Sequence, residues 1–245
     1  GVALEDRASV ARRWRNHEAG PLRPLRIGVI ALPHMANFTD FDALASEACV
    51  SLAFLKSPEE MAIADLLLLP GTKQTLDDLE WLVCRGFSQE LRRLCEKGTP
   101  LIGICGGFQM LGSFIEDPHG IENQGKPCTR KGLGCLPVRT VLQTAKTVRR
   151  VRGRVRSEFL GLSPCPQACF HGYEIHVGET VYETGAKPFA EIVREGIAGT
   201  VPDGAVSASG RVMGTYVHAF FDNDNFRHSF LAAARRAVDL APAET

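Results

Sequence analysis

The stretch "PLIGICGGFQMLG", Pro100 to Gly112, sets an apolar run against a pair of glycines, with one cysteine at the junction. The run is too short for a helix and too continuously apolar for a half-exposed strand, so it reads as a buried strand of a parallel sheet. Cys105 falls at its end, where Gly106 and Gly107 can open a helix. A strand-turn-helix elbow of this kind holds a nucleophile at a tight turn, with small neighbours that let a substrate approach the backbone. The next N–H points at the attacked carbonyl, and a helix N-terminus favours the thiolate.

Working outward, "LRIGVIAL" (Leu25 to Leu32), "CVSLAFL" (Cys49 to Leu55) and "DLLLLP" (Asp65 to Pro70) are runs of the same kind. Helical patterns separate them, clearest in "TLDDLEWLVCRGFSQELRRLCEKG". There Leu79, Leu82 and Val83 are expected on one face, Leu91, Leu94 and Cys95 on another, and Gly98 as the stop. Strands alternating with helices predict an α/β fold: an open, mostly parallel sheet flanked by helices, with ligands beyond the carboxyl ends of its strands. After about residue 125 the segments "TVRRVRGRVR", "EIHVGETVYE", "FAEIVRE" and "GAVSASGRVMGTYVHAF" predict additional antiparallel strands. "NDNFRHSFLAAARRAVDL" predicts a closing helix with an Asn/Asp start.

At 245 residues and 44% hydrophobic, the chain can bury one sizeable α/β domain without staples. Lys+Arg and Asp+Glu both number 28, so no net field favours nucleic acid or an anionic membrane. No apolar run approaches the ~20 residues that cross a bilayer. Eight cysteines without a short disulfide framework or secretory leader imply a reduced, cytoplasmic setting. The charged segment 1–24 ends in Gly20, Pro21 and Pro24 and reads as a linker or the tail of a preceding element. The domain is expected over 25–240, and with Met35 as the first methionine, further residues are expected ahead of Gly1.

A thiol nucleophile needs a base, and "GTYVHAFFD" offers His218 at the end of another apolar run. A second oxyanion donor would come from "LPGTKQT", where Gly71 can turn its N–H toward the same pocket. That loop is not a phosphate cradle, because Leu66 stands where a P-loop has its first glycine.

These residues resemble the class I, triad-type glutamine amidotransferases, whose nucleophile motif "GICGGFQMLG" matches. Within that superfamily "NFTDFDAL" (Asn37 to Leu44), "LPGTKQTLDDL" (Leu69 to Leu79), "HGYEIHVGET" (His171 to Thr180) and "GTYVHAFFDND" (Gly214 to Asp224) resemble the cobyric acid synthase family, in the same order, from roughly Arg26 to Phe230. The resemblance implies a flavodoxin-like class I amidotransferase fold. It also implies an enzyme that hydrolyses glutamine and passes ammonia to an ATP-dependent synthetase domain, which amidates corrinoid carboxylates in cobalamin biosynthesis. That domain precedes this one in the family, and "ALEDRASVARRW" resembles its end. No cofactor is then expected in this domain; ATP and magnesium belong with the synthetase domain, as do the corrinoid contacts.

Carried over, Cys105 is the nucleophile that forms a glutamyl thioester and His218 the base. Gly71 and Gly106 form the oxyanion hole, and Gln109 shapes the glutamine pocket. Tyr173, Glu174 and His176 belong to a motif near the substrate. Many superfamily members carry His-Pro-Glu, but Ala219 and Phe220 follow His218 here, so either a dyad suffices or another acid orients the imidazole. Alternatives are the amidotransferase of cobyrinic acid a,c-diamide synthase, that of lipid II amidation, and a catalytically silent module that only binds a partner. "GGFQMLG" with "NFTDFD" weighs against the first, "GYEIH" against the second, and the intact Cys105 and His218 against the third.

Plainer roles cover the remaining candidates. Cys49, Cys84 and Cys95 read as structural thiols, and His17, His34, His119 and His228 as structural histidines. Cys165, Cys169 and His171, with Cys128 and Cys135, fit no structural-zinc spacing, so no metal is expected. Asp40 and Asp42 read as turn and capping residues rather than a carboxylate pair. Arg150, Arg152, Arg154 and Arg156 share one face if "RRVRGRVR" is a strand, a solvated face first and a synthetase-domain interface second. No aromatic residues interleave there to stack bases.

Overall fold

The computed structural model describes Trp14 and residues 22–242. The expected linker over 1–24 therefore lies outside the described residues, apart from Trp14 and residues 22–24. Four apolar runs become strands β1 (Leu25–Ile30), β2 (Val50–Leu55), β3 (Leu66–Leu69) and β4 (Leu101–Ile104). Continuous Leu, Ile and Val suit a strand covered on both faces, and all four leucines of β3 are fully buried. A second group follows: β5 (Phe114–Asp117), β6 (Cys128–Lys131), β7 (Val138–Val155), β8 (Cys169–Tyr182), β9 (Ala190–Arg194) and β10 (Val201–Asp203). The chain then returns through β11 (Ala205–Val206), β12 (Val212–Thr215) and β13 (Val217–His218).

The central sheet has the order β11-β12-β4-β3-β1-β2. It is parallel except for the β11–β12 pair. The second sheet, β10-β9-β7-β5-β6 with β8 and β13 attached, is antiparallel except for β5–β7. Between Thr215 and Val217 the chain leaves one sheet for the other. Buried Asp203 holds this crossing, accepting hydrogen bonds from the Thr215 hydroxyl and, at 3.1 Å, the Tyr216 N–H.

The helices are α1 (Asp42–Ala45), α2 (Thr75–Cys84), α3 (Phe87–Glu96), α4 (Gly106–Leu111) and α5 (Asp224–Ala237). The long helical pattern splits at Gly86, whose φ of 80° ends α2 and opens α3. Leu79, Leu82, Leu91 and Leu94 are buried as expected, but Val83 is 53% exposed: it sits in the last turn before the break, beyond the reach of the core. Helix α4 packs so closely on the sheet that a Cβ at Gly107 would stand 2.0 Å from the Leu69 carbonyl oxygen.

That approach admits only glycine at 107. Replacing Gly107 by Ala is expected to lower the unfolding free energy by about 3 kcal/mol, the upper end of ordinary overpacking. Denaturant melts of the two proteins check this, and equal stability would show that helix and strand are not in such contact.

Candidate active site

Cys105 follows the last residue of β4 and caps α4 with φ 52° and ψ −110°. A non-glycine residue pays of order 1–3 kcal/mol for a sparsely populated conformation, which persists only where surroundings over-determine it. Here the Cys105 N–H donates to Thr215 O at 2.8 Å, and the Cys105 carbonyl accepts from Gln109 at 3.0 Å. The turn leaves the thiol 8% exposed at the carboxyl edge of the sheet, with Sγ 3.5 Å from Ile175 O on β8.

Thr215 is level with Ile104 in the parallel register, so the sheet crossing that follows places His218 beside the elbow. The segment beyond is locked by Phe220, Phe221, Phe226 and Phe230, all buried and in mutual ring contact. His218 is 1% exposed. Its Nδ1 donates to Asp40 Oδ2 at 2.6 Å, and Asp40 Oδ1 accepts the Ala219 N–H at 3.0 Å. Asp40, 2% exposed, thus holds both the ring and the backbone that carries it. The turn-and-capping assignment of Asp40 is corrected by this contact, while Asp42 is exposed in the first turn of α1.

Burial works against a charged imidazole, but hydrogen bonds and charge from Asp40 and Cys105 outweigh it and raise the His218 pKa to about 10. His218 is therefore an imidazolium at neutral pH. The Asn37 carboxamide lies 3.0 and 3.1 Å from its two ring nitrogens, and Tyr173 stacks on the ring at 5.3 Å.

Gly71 faces the same point: a Cβ there would stand 3.0 Å from His218 Cε1 and 3.6 Å from Cys105 Cβ. Its loop is tied to the loop after β1, with the Gly71 carbonyl accepting from Ala36 at 2.8 Å. Fully buried Asp78 accepts from Thr72 and from His34, at 2.9 Å, and fixes both loops. The Gly106 N–H, at the first position of α4, has no carbonyl one turn back to satisfy it.

A cavity of about 310 Å³ opens over Cys105 and His218, and Asn37, Gly71, Gln109 and His176 border it. Gln109 is buried, accepting from Thr75 Oγ1 at 3.1 Å. Lys73, Glu122 and Lys146 complete a charged rim. Burial pushes the Glu122 carboxyl up, although Leu76 N–H donates to it at 2.9 Å. The sequence reading gave these three and Asn37 no role: Asn37 and Lys73 lie inside the quoted segments without a chemical signal of their own, and Glu122 and Lys146 stand alone on a loop and at the irregularity between Leu142 and Thr147 of β7.

The "GYEIH" residues part company. Tyr173 backs His218, and His176 lines the cavity while stacking on Tyr216 at 3.9 Å. Glu174 does not border that cavity: its carboxylate takes Arg194 Nε and Nη2 at 2.8 and 3.0 Å and lies 3.4 Å from His176 Nε2. Burial opposes its charge, but these partners win and hold its carboxyl below the usual range.

A cysteine at a strained strand end and a buried His–Asp pair beside a charged cavity are the equipment of nucleophilic acyl transfer. Comparison with known proteins agrees. Residues 26–226 match the CobB/CobQ-like glutamine amidotransferase domain. The chain is 42% identical, over 89% of its length and 42% of the other's, to a cobyric acid synthase of Moorella thermoacetica. It spans less than half the length of the curated relatives it matches. Among solved structures, a glutamine amidotransferase shares the fold with TM-score 0.57 at 20% identity, over 86% of this chain and 98% of that one. PurLQS from Thermotoga maritima does so with TM-score 0.63 at 18% identity, over 85% and 98%. The chain belongs to the CobB/CobQ-like glutamine amidotransferase domain family.

Proposed function

We propose that this chain hydrolyses glutamine through a Cys105 thioester and supplies the ammonia to the amidation reaction of a cobyric acid synthase. The observation that carries the chemistry is the Asp40–His218 contact set beside the Cys105 elbow. Cys105 Sγ, its proton carried by the His218 ring, attacks the carboxamide carbon, and the Gly71 and Gly106 N–H groups collect the charge that forms on oxygen. The imidazolium of His218 gives its proton to the departing nitrogen, which leaves as ammonia. His218, now neutral, takes a proton from water as it attacks the thioester, and glutamate leaves with Cys105 restored. Asp40 acts through His218, as a positioning residue that keeps Nδ1 protonated and the ring aimed.

The cavity rim suits an amino-acid zwitterion. Glu122 would meet the α-ammonium, whose charge offsets the burial that penalises its carboxylate, and Lys73 or Lys146 would meet the α-carboxylate. Gln109 closes the pocket beneath. Support for the acceptor comes from the relatives named cobyric acid synthase. The synthetase portion that binds ATP, magnesium and the corrinoid would be supplied by the part of such a protein that this chain does not span. A cytoplasmic location is supported by eight free thiols. Among the described residues no helix is long and apolar enough to cross a membrane.

Three outcomes are expected. Wild-type protein releases ammonia and glutamate from glutamine, and a glutamine-analogue electrophile labels Cys105 alone by mass spectrometry; Cys105→Ala does neither, and persistent release would place the nucleophile elsewhere. Asp40→Asn lowers kcat about 100-fold, within the range of general acid–base effects. It also moves the alkaline limb of the pH–rate profile. In the wild type that limb lies near the His218 value of about 10, because the acid is lost as pH rises through it; without the Asp40 charge it shifts downward. A profile unchanged in Asp40→Asn would separate Asp40 from the chemistry. Glu122→Gln raises KM about tenfold with little change in kcat, as loss of a charge-assisted hydrogen bond implies; an unchanged KM would remove it from the pocket.

A further inference from the structure

The arginines of "RRVRGRVR" take no part in this chemistry. Along the end of β7 and the residue after it they alternate outward: Arg150, Arg152, Arg154 and Arg156 are exposed while Val151, Gly153 and Val155 are buried. Arg154 and Arg156 share Glu191, at 3.0 and 4.0 Å. Arg150 and Arg152 have no carboxylate within ion-pair distance among the described residues. Beside them Val148, Val193 and Ile197 are 51%, 44% and 49% exposed. Two adjoining depressions, of about 610 and 780 Å³, run along this surface and share Arg152, His171 and Val193. Exposed arginines around aliphatic side chains are a composition found at protein interfaces, and the guanidinium fork suits carboxylates.

This face leads to the catalytic pair. In the antiparallel register Arg150 is opposite Tyr173, and Tyr173 is opposite His218. Directly opposed residues share a face, so the three form one row across β7, β8 and β13. The Tyr173 ring stacks on His218 at an interplanar angle of 22°. Whatever seats on Arg150 therefore abuts the ring that backs the catalytic imidazole.

The matched relatives are more than twice as long as their matched part, so a larger body accompanies this domain in them. We propose that the Arg150–Arg152 face of the second sheet docks that body, the remaining portion of a cobyric acid synthase chain, through a carboxylate-bearing patch on its surface, and that Tyr173 conveys the seating to His218. The nature of the partner rests on the function proposed above; the face does not. Ammonia release would then answer to the presence of the partner.

The test uses this chain and, as probe, the separately produced part of the Moorella thermoacetica relative that lies outside the match. Calorimetry at low and high salt measures binding, and glutamine hydrolysis is followed with and without the probe. The wild type is expected to bind, more weakly at high salt, with a changed kcat or KM. Arg150→Glu with Arg152→Glu weakens binding at least about tenfold, Arg150→Lys with Arg152→Lys retains most of it, and both keep the basal hydrolysis of the wild type. Failure of the wild type to bind, or equal affinity in the glutamate variant, overturns the docking face. Binding that leaves kcat and KM untouched overturns the Tyr173 link. Absence of hydrolysis in the wild type both with and without the probe counts against the proposed function instead, and the affinities still decide the face.

Discussion

Asp40 and His218 meet at the seam between the two sheets, 178 residues apart in sequence and joined by a 2.6 Å contact. Both are almost wholly excluded from water, so each would be costly to bury alone. Removing one partner of such a pair typically costs about 3–5 kcal/mol, mostly for the charge left behind. The pair does more than orient a ring. Asp40 also accepts the Ala219 N–H, and Ala219 sits at φ 60°, so the carboxylate pins the left-handed residue that turns the chain from β13 into the phenylalanine cluster. Position of the imidazole, direction of the chain and protonation of the ring share one anchor.

Opposite stands the Cys105 turn, with its own unfavourable backbone geometry. Its stability comes from elements that have nothing to do with the thiol: Thr215 of β12 on one side and the close seating of α4 on the β3 end on the other. Gly71 reaches the same point because buried Asp78 ties its loop to the loop after β1. The site is thus built at the ends of β1, β3, β4 and β12, where a doubly wound sheet gathers its loops. One strand of the second sheet, β8, closes it from above with the Ile175 carbonyl near Sγ.

Much of this was readable from sequence because it is written locally. Continuous apolar runs mark the buried strands, the glycines around Cys105 mark the elbow, and the run before His218 marks its strand. Asp40 was not readable in the same way. "NFTDFD" has the composition of a turn with a helix start, and it forms one; the His218 partnership depends on a long-range register that no local pattern encodes. The place usually filled by an acid after the histidine holds Ala219 and Phe220. Glu174 shows the converse. It sits in one short motif with Tyr173 and His176, but its carboxylate is held by Arg194 while Tyr173 stacks on His218 and His176 borders the cavity. Glu122 and Lys146 left no signal, since a lone charge on a loop or at a strand irregularity looks like any solvated residue until the fold brings it to a cavity.

The most direct measurement is the titration of the His218 imidazole itself, by ¹⁵N NMR of histidine-labelled protein with resonances assigned through His218→Asn. The Asp40 contact at the Cys105 elbow predicts an imidazolium at neutral pH that persists until the pH nears about 10. A ring that titrates close to the ordinary value of 6.5 would contradict it, and with it the pairing on which the site is built.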